Sequence, residues 1–516
     1  MKYGFAMALT GGLLCAAHPL LAQEAPEESE SPAVQRGIQI APTEDRGRIE
    51  PADDGPEMDR TPVLPDAEIL VPRGSLVAVE KVFVREVRID GRSLVSQEQA
   101  EAIVTPYLGR EITFDELDRL RQELSLVYFD RGFVNSGVAL PDQDISQGVI
   151  TFQEIRGRIT EVSLQGNAAL RDRFWTDRLE SFQTDVLQIN ELQSTLQIIE
   201  QEPLVNRIEA QLLPGANPGE SSLQLSISEA RPWSFAVGID NYRSPSLGGE
   251  QLTLYATHRS LTGRGDQVEM YANLADGLGD GGLSYTLPIG SHGTKARAYG
   301  SQGDAEIVEK PFDLIDIDTQ VETWGVEVSH PVYRTPTQSV FAFIGVESQH
   351  SESTLLDIPF SFSLGELNGA ATAVAAVVGG AWIRRDRGQV LAARLSLRRG
   401  LDAMGAETAP YSPPGLNGPD NEFVSVRGQF QLVRELAWKD SELHIKGGFQ
   451  LALDPLLPVE KMPIGGVHTV RGYRQNLFVR DNGLHASLEW RVPLFPDSRS
   501  EGRFQPRNLA AALFTD

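Results

Sequence analysis

Pro463-Ile464-Gly465-Gly466-Val467-His468-Thr469-Val470-Arg471-Gly472-Tyr473 is the stretch that decides the reading of this chain. It is too rich in glycine for a strand and carries one cation, Arg471. On either side lie segments that alternate apolar and polar residues over roughly the length of a membrane-spanning strand. The reading is a long, structured loop, 454–482, between two barrel strands, with Arg471 as the charge that this loop must place.

Outward from the loop, helical signals vanish from Pro232 on and period-two alternation takes over. Leu391, Ala393, Leu395 and Leu397 alternate with Ala392, Arg394, Ser396 and Arg398. Val424, Val426, Phe430 and Leu432 form a second such face, and Leu443, Ile445, Phe449 and Leu451 a third. Alternation alone fits a soluble sandwich as well as a membrane barrel. Length separates them, because sandwich strands run to about 5–6 residues and spanning strands to about 9–11. The segments here are of the longer kind. Tight turns (Gly279-Asp280-Gly281-Gly282, Arg387-Gly388) also alternate with long polar loops (301–318, 400–421), as outer-membrane barrels do. Thirteen candidate strands run from 232–242 to 507–514, with 319–329, 337–348 and 373–384 among them. Region 231–516 is therefore expected to be a transmembrane antiparallel β-barrel whose apolar side meets outer-membrane lipid.

The chain has 516 residues and a net charge of -25, from 46 basic and 71 acidic residues. That balance argues against nucleic acid as a partner, since phosphate neutralisation needs clustered Lys and Arg. Residues 1–22 read as a signal peptide: Lys2, an apolar run from Tyr3 to Leu14, and Leu20-Leu21-Ala22 before Gln23. The only cysteine, Cys15, falls inside it, so the exported chain is expected to have no disulfides. Leu14 before Cys15 argues against a lipid-modified start. No later apolar run is long enough for a spanning helix; Ala370 to Trp382 is too short and too glycine-rich. Residues 23–78 are acidic and proline-rich, a linker with too little apolar residue to fold.

Between linker and barrel, the order strand, helix, helix, strand, strand occurs twice, over 79–157 and 158–230. In the first copy Ser96 with Gln99 and Thr113 with Glu116 read as capping boxes, and Leu117, Leu120, Leu124 and Val127 share a helix face. In the second, a helix covers Phe174 to Leu179 and another opens at Asn190.

Tyr128-Phe129-Asp130-Arg131-Gly132-Phe133, Leu140-Pro141-Asp142-Gln143-Asp144-Ile145, Gly148-Val149-Ile150 and Ile155-Arg156-Gly157-Arg158-Ile159 resemble the first polypeptide-transport-associated (POTRA) domain of two-partner secretion transporters. Residues from Ile159 to about Glu229, with Leu213-Pro214-Gly215 and Pro218-Gly219, resemble the second. Gly132, Leu140, Pro141, Gln143, Asp144 and Gly157 carry the motif. The resemblance implies periplasmic POTRA domains, 79–157 and 158–230, followed by a barrel of about sixteen strands with its signature loop after the eleventh. Val470-Arg471-Gly472-Tyr473 matches that loop signature. The resemblance further implies that the loop folds into the lumen and that Arg471 pairs with the acid of a Phe-x-Asp motif, here Phe514-Thr515-Asp516. Against that family pattern the chain is expected to be a truncated form, stopping three strands early and without a terminal aromatic residue.

Arg394, Arg398, Arg427, Gln429 and Lys446 are the expected lumen-facing residues. The implied function is secretion of a partner exoprotein, an adhesin or cytolysin with an N-terminal secretion domain, through an outer-membrane pore without ATP, with a monomer expected and no cofactors. A barrel-assembly factor and a passive porin are the alternatives. Gly277 to Gly282 contains a dinucleotide-type glycine pattern but opens no helix, so it reads as a hairpin turn. Asp313, Asp316 and Asp318 read as a solvated acidic loop rather than a calcium site, since the glycine and terminal glutamate of a calcium loop are missing. The histidines are scattered, and no nucleophile constellation points to an enzyme.

Overall fold

The computed structural model describes residues 36–40, 49–54, 81–91, 94–406, 418–438, 441–494 and 510–516. The expected signal peptide lies outside them. The chain divides into two compact units, residues 59–230 and a second that joins 1–58 to 231–516.

In the first unit the βααββ order occurs twice with one topology. Glu86–Asp90 pairs parallel with Val149–Ile155, which pairs antiparallel with Gly137–Ala139. In the second repeat Arg158–Gln165 pairs parallel with Glu220–Glu229, which pairs antiparallel with Val205–Pro214. The helices Gln97–Val104 and Phe114–Asp130 cover one sheet, and Asp172–Thr184 and Ile189–Glu200 the other. Leu117, Leu120 and Leu124 form the buried stripe of the long helix, against Ile150 and Phe152 of the strand beneath. Thr113 and Glu116 form a complete capping box. Ser96 does not: its hydroxyl bonds the Gln99 side chain instead of a backbone amide, and Arg131 also holds Gln99. The cap of the last helix is Gln188, two residues earlier than Asn190, because its longer amide reaches the Glu191 N–H at 2.7 Å.

In the second unit the described residues include one antiparallel sheet of fourteen strands, thirteen in sequence order and a two-residue strand, Ile358–Pro359, paired with the end of the seventh. The thirteen are β1 Trp233–Asp240, β2 Gln251–Arg259, β3 Gln267–Ala275, β4 Leu278–Ile289, β5 Thr294–Glu306, β6 Ile317–Arg334, β7 Gln338–Leu355, β8 Ala370–Asp386, β9 Gln389–Gly400, β10 Val424–Leu436, β11 Ser441–Ala452, β12 Gly483–Pro493 and β13 Ala510–Thr515. Each matches one segment expected from alternation. β6, β7 and β8 run longer than their alternation suggests, because the ladder continues where both faces turn polar, as at His350 to Thr354. β5 runs on to Glu306 and β6 begins at Ile317, so the loop expected at 301–318 shortens to 307–316. Likewise Gly279 to Gly282 belong to β4 rather than to a turn. Gly282 there gives the Tyr271 ring room: a Cβ would sit 2.4 Å from it.

The expected linker also holds structure. Arg36–Ile40 pairs antiparallel with Ile49–Asp54, and the hairpin lies beside β8, β9 and β10. Composition reports whether a segment can bury a core, but not whether a neighbouring hairpin arm completes its backbone hydrogen bonds.

The apolar face of the sheet points outward. Phe235, Val237, Ile239, Val326, Ile344, Val378, Leu395, Leu397, Leu451 and Leu484 are all exposed, while their sequence neighbours Ser396, Arg398 and Gln450 are buried. A sandwich would reverse this. An exposed apolar band of this extent is stable against lipid, not water. No helix among the described residues is long and apolar enough to cross a membrane.

Candidate functional site: the loop between β11 and β12

The connection from 453 to 482 folds against the polar face of the sheet, and its contacts show how far that sheet curls. Arg474 donates to Glu309, in the β5–β6 connection, at 2.9 and 3.0 Å. On a flat sheet the two loops would be separated by about six strand spacings, roughly 29 Å. His468 packs edge-on against Tyr242, in the β1–β2 connection, with ring centroids 6.4 Å apart. The polar face is therefore concave, and the loop lies within the curve.

The root of the loop is fixed first. Leu456, Leu457 and Val459 are buried against Ala373, Ala375 and Phe423 of the wall. They place Glu460, at the end of a one-turn helix Pro458–Glu460, against two arginines. Arg398 donates to its carboxylate at 3.1 and 2.7 Å, and Arg427 at 2.5 Å. Arg398 also reaches Glu347 at 2.7 Å, and the Tyr299 hydroxyl donates to the other oxygen of Glu347 at 2.7 Å. The Glu460 carbonyl accepts from Gln450 at 3.0 Å. Two cations and two carboxylates thus close a neutral set at the wall, and Arg398, Glu347 and Glu460 are all 1 % exposed or less. A buried charge survives only with such partners. Met462–Ile464 then pairs with Phe478–Arg480, which joins the two legs of the loop.

The tip, 465–477, is held differently. Gly465 and Gly466 take φ of 122° and 95°, which glycine adopts without strain, and the Gly465 N–H donates to the Thr469 hydroxyl at 2.8 Å. The Gly466 N–H donates to the Val470 carbonyl at 3.1 Å. This turn presents Arg471 to β12 and β13. Its backbone N–H, Nε and Nη2 donate to Asp516 at 2.8, 2.8 and 2.7 Å. Nη2 also reaches the Ser487 hydroxyl at 2.9 Å, and Nη1 bonds Glu489. The guanidinium lies 3.5 Å from the centroid of the Phe514 ring, so Phe514 and Asp516 hold it from two sides. Gly472 has φ of 88° and open space around it, so its conformation, not crowding, calls for glycine. Tyr473 is exposed.

The residues expected to line a wet lumen differ among themselves. All five face the concave side, but Arg398 is fully buried by Glu347 and Glu460, so it lines no water. Arg394 is bonded to Glu327 at 2.7 Å and lies over the Phe343 ring. Arg427 serves the loop root, while Gln429 and Lys446 are half-buried on the same face. The acids that neutralise these cations were not singled out by sequence. Glu460 carried a signal nonetheless, as a lone acid closing the apolar run Leu456-Leu457-Pro458-Val459.

In the first unit the motif residues serve the repeats themselves. The Gln143 side chain pairs with the Thr151 backbone in both directions at 2.7 Å, acting as one more rung of the sheet. Asp144 accepts the Ser146 N–H at 2.9 Å, a bond that holds its carboxyl below the usual range. Leu140 packs on the core, and Pro141 is half-buried. Gly132 and Gly157 join the repeats: their carbonyls accept from Ile189 and Leu187 at 2.9 and 2.8 Å. Among the described acids, Asp316, Asp318 and Asp357, rather than Asp313, approach one another within 4.8 Å.

Comparison with known proteins agrees with this geometry. Residues 82–157 match the POTRA domain, ShlB-type. The heme/hemopexin transporter protein HuxB of Haemophilus influenzae is 24% identical over 79% of this chain and 72% of its own length. The outer membrane transporter CdiB of Dickeya dadantii is 22% identical over 80% of this chain and 73% of its own. The solved structure of CdiB from Escherichia coli shares the fold, with a TM-score of 0.60 at 20% identity over 83% of this chain and 78% of that one. The family model for the haemolysin secretion/activation protein ShlB/FhaC/HecB covers residues 219–508, more than half of the sequence, and the chain belongs to that family.

Proposed function

We propose that this chain is an outer-membrane translocator that takes an unfolded partner exoprotein from the periplasm and passes it through the β-barrel without ATP. Family membership is the observation that carries this reading, since relatives bear the names of transporters for hemolysin and for heme/hemopexin. The two α+β repeats are its periplasmic POTRA domains. Val205–Pro214 is an edge strand with one neighbour among the described residues, and an extended segment can add to such an edge through backbone hydrogen bonds. This recognition reads shape more than sequence, which suits an unfolded client. Folding of the client outside removes it from the exchange and draws the rest through. The loop tip bearing Arg471 acts as the gate over this path.

The test is co-expression with each large exoprotein of the source genome that carries an N-terminal secretion domain, in a strain lacking any such transporter. Appearance of one of them in the medium, dependent on this chain, supports the reading. Retention of all of them in the periplasm while the chain sits correctly in the outer membrane overturns it, and uptake of small solutes alone points to a porin.

A further inference from the structure

We infer that Glu460 is a positioning residue that divides the long loop into a locked root and a releasable tip, with the boundary at Gly465–Gly466. The two halves are attached at different depths. At the root, Glu460 meets Arg398 and Arg427 where water is excluded, and Leu456, Leu457 and Val459 fill the wall beside it. Leu456 donates its N–H to Asp481 at 3.3 Å, and Gln450 bonds both the Glu460 and the Asp481 carbonyls at 3.0 Å. Both legs of the loop are thereby fixed to one strand.

The tip has no buried apolar anchor of this kind. Its attachments include Arg471 on β12 and β13, the exposed Arg474–Glu309 pair and the exposed Tyr242 against His468. The exposed Arg474–Glu309 pair holds weakly, and the Arg471 side chain keeps 19% of its surface open to solvent beside Asp516 and Glu489, whereas the fully dry Glu460 set releases only if its charges find water together. The internal hydrogen bonds of the tip, Gly465 to Thr469 and Gly466 to Val470, let it move as one piece. Two successive glycines at positive φ supply the pivot. Loss of the Arg471 contacts therefore swings 465–477 away while 453–464 and 478–482 stay on the wall. Glu460 sets the point from which Arg471 is aimed, without touching Arg471 or any passing chain.

The experiment measures labelling of single cysteines by a membrane-impermeant maleimide on whole cells, in a Cys15→Ser background, with insertion checked by heat-modifiable migration. Val467→Cys reports the tip and Val459→Cys the root. Arg471→Ala is expected to speed labelling at the tip reporter by roughly tenfold while the root reporter stays protected. Glu460→Gln, which keeps the side-chain shape and removes the charge, is expected to expose both reporters. Arg427→Gln, which leaves Arg398 in place, supplies the same reading at a smaller magnitude should Glu460→Gln fail to insert. Exposure of the root in Arg471→Ala alone overturns the proposal, and so does full protection of the root in both Glu460→Gln and Arg427→Gln. These readouts do not depend on secretion, so they stand apart from the transport assay.

Discussion

Arg471 and Asp516 lie 45 residues apart in sequence and are joined by three hydrogen bonds of 2.7 to 2.8 Å, one from the backbone and two from the guanidinium. A flat guanidinium that grips both carboxylate oxygens fixes direction as well as distance. Removing it leaves Asp516 and Glu489 facing each other without their shared cation. Arg471→Ala is expected to weaken docking of the tip by about 2–3 kcal/mol, while the wall strands keep their ladder. Secretion of the partner protein, measured in the medium, should fall far more than the amount of inserted protein in the outer membrane. Arg471→Lys should rescue little, since a point charge cannot hold both oxygens. Normal secretion by an inserted Arg471→Ala variant removes the loop from the mechanism.

At the root of the loop the same chemistry is buried, so the cost of breaking it is larger. Arg398→Ala leaves Glu347 without a cation and Glu460 with Arg427 alone in a dry site, a loss on the order of 3–5 kcal/mol. Replacing Arg398 and Arg427 by Met together with Glu347 and Glu460 by Leu is expected to restore most of that stability, because no charge of the set is then stranded. Thermal loss of heat-modifiable migration, compared between the single and the fourfold variant, checks the contrast. Equal loss in both would show that shape, not charge, holds the root.

Much of the wall was legible because period-two alternation is a local signal: each of thirteen segments announced its strand by its own side chains. Strand ends were not legible at β6 to β8, where hydrogen bonding continues after the apolar alternation stops, and a ladder depends on the partner rather than on the segment. The same limit explains the 36–54 hairpin. Arg398 shows a third kind of limit. Alternation placed it on the concave face, but only the fold brings Glu347 and Glu460 to it from 51 and 62 residues away. Helix caps divided on reach: Thr113 with Glu116 closed as its spacing suggested, whereas the side chain of Gln99 was drawn to Arg131.

Glu366, in the loop between β7 and β8, gives a pH dependence with a definite sign. It is 4% exposed, and burial pushes its carboxyl up to about 7, against the lesser pull of the Ser363 N–H at 3.0 Å. The folded loop therefore holds this proton more tightly than the open one. Its contribution is fully present below pH of about 4.5 and is lost as pH rises through 7. The amount is at most about 3 kcal/mol. Proteolysis within 356–369 should be slower at pH 5 than at pH 8, and Glu366→Gln should flatten the difference. A loop cut faster at the lower pH contradicts the assignment.

Two glycines of the first unit separate crowding from backbone strain. A Cβ on Gly157 would stand 2.0 Å from the Asn135 side-chain oxygen and 2.6 Å from the Asn135 backbone carbon, so neither residue can yield without moving the chain. Gly109 has nothing within 4 Å, but its φ is 72°. Gly109→Ala should therefore cost about 1 kcal/mol, the ordinary penalty of a side chain in the left-handed region, with a local effect. Gly157→Ala is expected to cost about 2–3 kcal/mol and to act at a distance, because the Gly157 carbonyl accepts the Leu187 N–H that joins the two repeats. Hydrogen exchange at Leu187 and Ile189 should quicken in Gly157→Ala and stay unchanged in Gly109→Ala. Equal protection of Leu187 in both variants would mean that the repeats are held together without this contact.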